Sequence, residues 1–167
     1  MKILQVIPSL SPRLGGPSLV VVELTRNLRD LGIDVQILTT DDNTNTLLEV
    51  AKEKTTSYQD LPVVFLPRTL RMKEFIYSKS LSCWCKQNLK SFELVHTHYL
   101  FSYLPSWTAK AARTLEIPYI MRPLGQLTPW ALSQSSMKKK IYASFIERRN
   151  LENSSVIHCT STEEAKD

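Results

Sequence analysis

Short apolar runs alternate with longer amphipathic segments from the start of this chain onward. Residues 2–7 (KILQVI) and 35–40 (VQILTT) are apolar runs of strand length, and residues 17–31 between them have the period of an amphipathic helix. A turn-rich loop, residues 8–16 (PSLSPRLGG), precedes this helix, and Gly32 follows it. The opening of the chain therefore predicts a strand–loop–helix–strand unit.

The alternation continues to the end of the sequence. Further strands are predicted at residues 62–66 (PVVFL), 94–98 (LVHTH), 119–121 and 156–159 (VIHC), and further helices at residues 74–90, 104–115 and 138–151. A short turn of helix is expected at residues 129–132, and a hydroxyl followed by acids at 161–164 (STEE) predicts another helix start. Residues 41–60 are polar and lack a clear period, so we expect a flexible loop with a short helix there. This order predicts an α/β fold, a doubly wound, Rossmann-like parallel sheet covered on both faces.

The composition is that of one ordinary globular domain. With 167 residues, 43% of them apolar and 22% charged, the chain can bury a sizeable core. The net charge of +5 is modest, and no run of Lys and Arg with interleaved aromatic residues indicates a nucleic-acid surface. No membrane-spanning apolar run or signal-peptide pattern is present, so a cytoplasmic location is expected. Cys83 and Cys85 fall on opposite sides of a predicted helix, and Cys159 falls in an apolar strand, so neither a disulfide nor a metal is expected.

Two of the four glycines, Gly15 and Gly16, stand side by side directly before the first predicted helix. A residue without Cβ adopts positive φ and lets another molecule approach the backbone closely. The helix behind them offers unpaired N–H groups and the positive end of its dipole, which suit a phosphate. A plain strand-to-helix turn would need the glycines for geometry alone, and neither GxGxxG nor GxxxxGK(S/T) is present to decide between the two.

In a doubly wound sheet, ligands bind beyond the carboxyl ends of the parallel strands. Several chemically distinctive segments follow predicted strands and would meet at that edge. They are the glycine pair after the first strand and residues 96–99 (HTHY), 122–126 (RPLGQ) and 160–162 (TST) after later ones. Each segment has an ordinary structural explanation by itself, and their convergence on one edge is what indicates a binding site.

His96 and His98, two residues apart on a predicted strand, point to the same face with His96 one pleat deeper. That spacing is compatible with metal ligation, but no Cys, Asp or Glu is clearly placed as a third ligand, so no metal is expected. Two interpretations stay open: buried, hydrogen-bonded histidines, or contact with a ligand through His98 at the strand end. Arg122 could clamp a phosphate or a carboxylate, and an ordinary surface ion pair explains it equally well.

The order of these segments carries a resemblance to a known family. The stretches GGPSLVVVELTRNLRDLGIDVQILT, LVHTHYLFSY, IPYIMRPLGQLTPWAL and ERRNLENSSVIHCTSTEEAKD together resemble the N-terminal domain of family 4 glycosyltransferases, retaining enzymes of the two-domain GT-B fold. The resemblance covers nearly all of residues 1–167 as one Rossmann-like domain. It implies transfer of a sugar from a nucleotide-sugar donor to a glycan or lipid-linked acceptor in polysaccharide biosynthesis, without a further cofactor.

The resemblance also assigns roles to particular positions. The glycine loop, here Gly15 and Gly16, approaches the donor phosphates, and the N-terminal domain mostly holds the acceptor, with His98 and Gly125 at matching positions. Many members have a histidine before the glycine that corresponds to Gly125, where this chain has Leu124. A direct role for that position therefore does not carry over, no catalytic residue is assigned, and Arg122 is the neighbouring candidate for substrate binding.

A second domain is expected beside this one. In the resembled family that domain holds the nucleotide and carries a glutamate pair with E-x7-E spacing, which this chain lacks. We therefore expect one half of a GT-B fold that is inactive alone, as a fragment of a longer enzyme or as a subunit that works with a separate chain.

Two further possibilities follow from the sequence. The chain could instead be a non-catalytic Rossmann-type module that binds a nucleotide or a sugar, or that only assembles with a partner. Residues 137–149 (MKKKIYASFIERR) have the pattern of a basic amphipathic helix, which predicts weak peripheral contact with the inner membrane face. A stripe that packs onto the core explains the same apolar positions.

Overall fold

The first apolar run of the chain becomes a central strand of a seven-stranded sheet. The computed structural model describes residues 1–72, 75–128 and 143–166. Its strands are, in chain order, β1 (Lys2–Ser9), β2 (Asp34–Thr40), β3 (Asp42–Asn43), β4 (Thr46–Leu47), β5 (Thr55–Tyr58), β6 (Leu61–Leu66), β7 (Leu70–Met72), β8 (Phe75–Tyr77), β9 (Leu94–His98), β10 (Tyr119–Arg122) and β11 (Val156–Ile157). Its helices are α1 (Gly16–Asp30), α2 (Leu81–Asn88), α3 (Tyr103–Thr114) and α4 (Arg148–Glu152), the last preceded by a π-helical turn, Ala143–Glu147.

The spatial order of the sheet is β11-β10-β9-β1-β2-β6-β5, and β3–β4 and β7–β8 form two separate hairpins. β1 pairs in parallel with β2 on one side and with β9 on the other, and the pairs β2–β6, β9–β10 and β10–β11 are parallel too. Of these seven strands, only the edge strand β5 is antiparallel to its neighbour, β6. The α/β fold with a mainly parallel, doubly wound sheet is therefore confirmed.

The order of the strands decides which helix covers which face. The chain leaves β1 toward β2 but later returns from β6 to β9 and β10 on the other side, and crossovers of one hand then place α1 opposite α2 and α3. Both faces are covered, so β1 is apolar on both, and all of its residues except Lys2 are buried.

Each face has its own apolar core. On the side of α1, the helix residues Val21 and Val22 cluster with Ile7, Ile37 and Phe65 of the sheet. On the other side, Trp84 of α2 and Leu104 of α3 cluster with Leu4, Val95 and Met121. Truncating one of these large buried side chains costs about 2–5 kcal/mol of unfolding free energy, so the two cores hold the strand ends in place.

The first helix ends at a glycine in the left-handed conformation. Gly32 has a φ of 81°. Its N–H donates to the carbonyl of Arg29 at 2.8 Å, and the N–H of Ile33 donates to the carbonyl of Leu28 at 3.1 Å. This pair of bonds is a Schellman cap, which the sequence position of Gly32 predicts.

The predicted helix at residues 74–90 is wrong in its first part. Residues 75–77 form β8, which pairs antiparallel with β7, and α2 begins only at Leu81. Burial alternates along β8, with Ile76 buried between half-buried Phe75 and Tyr77. Both aromatic rings make edge-on contacts with the ring of Tyr103. The contact with α3 thus favours a strand where the approximate helical stripe suggested a helix.

Residues 41–60 also differ from the expected flexible loop with a short helix. They hold the hairpin β3–β4 and the edge strand β5. Gln59 and Asp60, with φ of 52° and 63°, form the turn between β5 and β6, and two left-handed residues match the twist of a tight hairpin. β5 carries no buried residue, so its sequence lacks the apolar alternation by which a strand is recognised.

The remaining predicted elements can be compared only in part. The helix predicted at 138–151 is described from residue 143 as the π-helical turn and α4, and residues 129–142, with the predicted turn at 129–132, lie outside the described residues. The helix start predicted at 161–164 is not observed as a helix: residues 162–166 form turns, within which the hydroxyl of Ser161 accepts a hydrogen bond from the N–H of Glu164 at 3.1 Å.

Cys83 is exposed and Cys85 buried, as their spacing on a helix requires, whereas Cys159 is half-buried just beyond β11 rather than in the core. Among the described residues, no helix combines the length and the hydrophobicity that a bilayer-spanning segment needs.

We expect Gly32→Ala to lower the unfolding free energy by about 1 kcal/mol, since a Cβ strains the left-handed backbone of the Schellman cap. A Cβ at Gly32 meets no atom within 4 Å, so backbone strain is the whole effect. Gly16→Ala is the matched control, because Gly16 also has open space around it but lies in the first turn of α1 without positive φ. Urea denaturation of both variants measures the difference, and equal stabilities would contradict the assigned cap.

Candidate functional site

The parallel pairing brings the predicted site segments to one edge of the sheet. β9 lies between β1 and β10, and His98 at the end of β9 is paired in register with Arg122 at the end of β10. The glycine loop follows β1, the neighbour of β9 on the other side. β11 carries residues 158–162 to the same edge, next to β10. The expected convergence of these segments on one edge is therefore observed.

The glycine loop is an open turn. Residues Pro12–Leu14 form one turn of 3-10 helix, and Gly15 follows with φ 75° and ψ −145° at the start of α1. A Cβ at Gly15 or at Gly16 would meet no atom within 4 Å, so neither glycine is required by packing. The start of α1 has no side-chain cap. The backbone conformation explains Gly15, whereas no contact within the described residues explains Gly16.

Two serines bind the base of this loop to β3. The hydroxyl of Ser9 donates to the carbonyl of Asp42 at 2.7 Å and accepts from the N–H of Ser11 at 3.0 Å. The hydroxyl of Ser11 donates to Oδ1 of Asn43 at 2.6 Å. These bonds fix where the loop leaves β1 and thereby where Gly15 stands.

A buried acid joins the hairpin β7–β8 to the same region. The Asp42 carboxylate is fully buried, and its two oxygens accept from Nη1 of Arg68 and Nη1 of Arg71, each at 2.6 Å. Its neighbour Asp41 accepts from the N–H of Arg68 at 2.7 Å and pairs with Nζ of Lys52 at 2.8 Å. Such multiple pairing offsets the cost of removing the acids from water. Nothing in the sequence pattern indicated the role of this acid pair or of the two arginines, because residues 41–60 lack a clear period.

A small pocket opens between these parts. Its volume is about 130 Å³, and Ser9, Arg71, Tyr99, Ser102 and Gln126 contribute to its wall. The pocket lies beyond the carboxyl ends of β1 and β9, where a doubly wound sheet binds its ligands. Its wall offers a guanidinium, hydroxyls and an amide, groups that can bind the hydroxyls or an anionic group of a small polar molecule.

The loop after β9 is strained and is held by acceptors from two other segments. Tyr99 and Phe101 have φ of 77° and 55°, which is costly for residues with a Cβ. The N–H of Leu100 donates to Oε1 of Gln126 at 2.6 Å, and the N–H of Phe101 donates to Oε1 of Glu147 at 2.7 Å. The two acceptors offset the strain and fix the pocket wall formed by this loop.

Glu147 is a buried acid with an incomplete set of donors. Its Oε1 also contacts the hydroxyl of Ser106, which in turn lies 2.6 Å from the carbonyl of Ser102. The Ser106 hydroxyl therefore has two acceptors within reach, this carboxylate oxygen and the carbonyl of Ser102. Oε2 of Glu147 is buried and has no hydrogen-bond partner among the described residues. Burial raises the pKa of Glu147 to about 6, with hydrogen bonds from Ser106 and Phe101 acting in the opposite direction.

The two predicted histidines are joined by a third. His96 and His98 do lie on one face, with ring centroids 4.3 Å apart, and Nδ1 of His158 lies 3.3 Å from Nε2 of His96. Burial, together with the charge of His158 and Arg122, lowers the pKa of His96 to about 3, and burial lowers that of His98 as well. All the same, no group of at least three His, Cys, Asp or Glu side chains within the described residues could hold a metal ion.

The expected order of burial of the two histidines is wrong. His98, predicted at the exposed strand end, is fully buried, and His96 is 6% exposed. Nε2 of His98 lies 2.6 Å from Oε1 of Gln5 in the adjacent strand β1, while its Nδ1 has no hydrogen-bond partner in the part of the chain that the structure describes. The pairing of β9 with β1 therefore covers the ring, and a sugar could reach it only after the contact with Gln5 is broken.

Glu164 joins the turn at Gly125, just after Arg122, to the segment that follows β11. Glu164 accepts from the N–H of Gly125 at 2.5 Å and from the N–H and hydroxyl of Thr160 at 2.5 and 2.6 Å. Burial raises the pKa of Glu164, but these hydrogen bonds and the charge of Arg122 outweigh it and lower the pKa overall. Arg122 itself is only 9% exposed, and its buried Nε has no hydrogen-bond partner within residues 1–72, 75–128 and 143–166. The simple surface ion pair is thereby excluded, and Glu164, expected only as an acid at a helix start, holds two loops of the site together.

Comparison with known families gives a match over most of the chain. The sequence model of a family described as "Glycosyl transferase 4-like domain" matches residues 15–167. No curated protein matches the sequence.

Solved structures give the same fold. A sucrose-phosphate synthase from Thermosynechococcus elongatus superposes with a TM-score of 0.61 at 16% identity, over 99% of this chain and 44% of that one. MurG from Acinetobacter baumannii superposes with a TM-score of 0.52 at 15% identity, over 96% of this chain and 42% of that one. Both are GT-B glycosyltransferases. The chain thus has the fold of one GT-B half and spans less than half the length of these two proteins.

Glu147→Gln should remove one component of the pH dependence of stability. The pKa of Glu147 is raised from 4.5 to about 6 in the folded state, so the folded chain binds this proton more tightly than the unfolded chain. The contribution of Glu147 to stability is therefore present at low pH and is lost as pH rises through this window, by up to about 2 kcal/mol. We expect the stability of the variant relative to the wild type to rise by that amount between about pH 4 and about pH 7.

Urea denaturation across this pH range measures that difference. Taking it relative to the wild type cancels the titration of the histidines. Glu152→Gln is the control, because Glu152 carries the same group exposed on α4, paired with Arg148. A variant profile parallel to that of the wild type would contradict the raised pKa of Glu147.

His98→Ala should be clearly destabilising, by about 2–4 kcal/mol, because it leaves a cavity and a buried Gln5 without its partner. The half-buried His158 offers the matched control, and His158→Ala should cost roughly 1 kcal/mol or less. Urea denaturation at neutral pH compares the two. Equal small losses would mean that the His98 ring is not enclosed between β1 and β10.

Proposed function

Because the chain belongs to the glycosyl transferase 4-like family, we propose that it forms the acceptor-side half of a glycosyltransferase. The reaction is a retaining transfer of a sugar from a nucleotide-sugar donor to a glycan or lipid-linked acceptor. The observation that carries the proposal is the pocket at the carboxyl edge of the sheet, with the open glycine loop beside it. The matched structures are more than twice as long, which supports a second domain facing this edge.

The glycine loop is proposed to contact the phosphate side of the donor. A donor held by a second domain would approach the edge from outside, and the uncapped N–H groups at the start of α1 suit a phosphate. No side chain stands over Gly15 or Gly16 to keep the donor away. This accounts for Gly16, for which packing gives no reason.

The acceptor is proposed to bind in the pocket between the glycine loop and the loop after β9. Arg122 and Gly125 lie on the neighbouring strand end, and Glu164 fixes the loop that carries them. Arg122 is the candidate partner for an anionic group, since its charge is neither exposed nor matched by a close carboxylate ion pair in the described residues. His98 supports this site through Gln5, and its direct contact with a sugar stays a prediction.

The position before Gly125 is proposed to be structural in this chain. Leu124 has a φ of 57° and Gly125 a φ of 75°, so both residues shape the turn after β10. An aliphatic side chain cannot donate to a sugar hydroxyl, and polar contacts there fall to Arg122 and Gln126. A cytoplasmic reaction, with peripheral membrane contact through residues 137–149, belongs to the same proposal and is supported by the basic pattern of that segment.

The proposal is tested with this chain together with the proposed second domain, on the same chain or on a separate one. Release of nucleotide from a panel of nucleotide sugars, with candidate acceptors added, should identify a donor, and the anomeric configuration of the product should match that of the donor. The 167-residue chain alone should transfer nothing. Binding of a sugar or nucleotide without any transfer by the complete protein would instead support the non-catalytic module.

Gly16→Val should lower sugar transfer by the complete enzyme about tenfold or more, because the branched side chain fills the space in which the donor phosphate approaches. Stability should change by less than about 1 kcal/mol, since the position has open space and ordinary helical backbone. Leu19→Val is the control, as Leu19 is exposed on the next turn of α1. Initial rates and urea denaturation are measured on both, and unchanged turnover in Gly16→Val would refute the phosphate contact.

A further inference from the structure

Helices α2 and α3 leave a groove between them on the face of the sheet opposite α1. Its volume is about 550 Å³, which is within the range of small-molecule sites. Its floor and walls are largely apolar, with Leu81 and Cys85 from α2 and Tyr103, Trp107 and Ala111 from α3. The groove shares no lining residue with the strand-end pocket, so it is a separate feature of the molecule.

The rim of the groove is basic. Lys86, Lys90 and Lys110 line it and are exposed, and no aspartate or glutamate is among its lining residues. Nζ of Lys110 lies 4.2 Å from the centre of the Trp107 ring, so this charge is held over the apolar wall. Burial raises the pKa of the Cys85 thiol to about 12, and the opposite wall therefore stays neutral. The charges thus favour an anion above an apolar floor.

The charged side chains lie toward the carboxyl-terminal ends of the two helices. Both helices return from the carboxyl edge of the sheet, so their first residues, Leu81 and Tyr103, lie at the same end of the groove. Lys86 and Lys90 lie in and beyond the last turn of α2, and Lys110 lies in the second half of α3. A ligand that fits this layout has an apolar chain to lie on the floor and an anionic group to meet the lysines.

We propose that the groove binds a single-chain anionic amphiphile, with its hydrocarbon chain against Leu81, Tyr103 and Trp107 and its phosphate or carboxylate headgroup among the three lysines. Burial of the chain supplies the affinity, at about 25 cal/mol per Å² of apolar surface, and the lysines fix the orientation. An inorganic anion alone would meet only exposed lysines, which bind weakly.

Dodecyl phosphate below its critical micelle concentration is the probe, titrated into the purified protein by calorimetry. We expect saturable binding with one ligand per chain, weakened by added salt. Dodecyl maltoside below its own critical micelle concentration and inorganic phosphate, which carry the chain or the charge alone, should each bind at least about tenfold more weakly. Equal binding of the neutral detergent, or of phosphate alone, would overturn the proposal.

Two variants test the groove itself. The triple change Lys86→Gln, Lys90→Gln and Lys110→Gln should weaken dodecyl phosphate about tenfold or more, while the same charge change at Lys54, Lys79 and Lys166, exposed residues outside the lining, should have little effect. Ala111→Phe should block the groove and abolish binding. Thermal melts verify that it folds, and the lysine variants alter only exposed side chains, so the test does not depend on it.

Other occupants are separate outcomes of the same experiments. If light scattering detects a dimer that Ala111→Phe dissociates, and dodecyl phosphate does not bind, the groove is an interface between copies of the chain and the proposal is wrong. Binding of an acidic amphipathic peptide in place of dodecyl phosphate would overturn it too. Neither result depends on sugar transfer, so this proposal and the proposed function stand or fall separately.

Discussion

The parallel pairing of β1 with β2 and β9 is the constraint on which the rest of the structure depends. Parallel strands all end at one edge, so every loop with unusual chemistry is brought there without any contact between the loops themselves. The same pairing requires crossovers, and crossovers place apolar layers on both faces of β1. The site is therefore a consequence of how the chain buries its first apolar run.

Buried carboxylates then fix the loops at that edge. Asp42 binds two arginines, Glu147 accepts from the N–H of Phe101, and Glu164 joins Gly125 to Thr160. Each acid loses its hydrogen bonds to water on burial and accepts hydrogen bonds from N–H groups of a segment distant in sequence instead. A loop with residues at positive φ keeps one conformation in this way, because a carboxylate on a more rigid segment accepts hydrogen bonds from its N–H groups. The loops at the carboxyl edge of the sheet are thus fixed by these carboxylates, whereas the groove between α2 and α3 is shaped by helix packing alone.

The elements that the sequence predicted well are those with a strong pattern of their own. β1 and β6 are near-continuous apolar runs, β2 and β9 contain shorter apolar stretches, and α1 and α3 carry regular stripes, so their positions agree with the structure to within about two residues. β5 and β8 were missed because their own sequences lack a strand pattern. β5 is a strand because it pairs with β6, and β8 is stabilised by the contact of Tyr77 with Tyr103. The family resemblance added the fold of a GT-B half, and the family match agrees with it.

The sequence by itself determined the strand order along the chain, the glycine turn before α1 and the edge at which a ligand would bind, since these follow from local periodicity and backbone preference. Only the tertiary structure decided which side chains that edge presents. His98 is enclosed because β1 places Gln5 beside it, 93 residues away in sequence, and His158 reaches His96 across 62 residues. Contacts of such separation depend on strand register and on which face a crossover selects, and no local pattern in the chain encodes either.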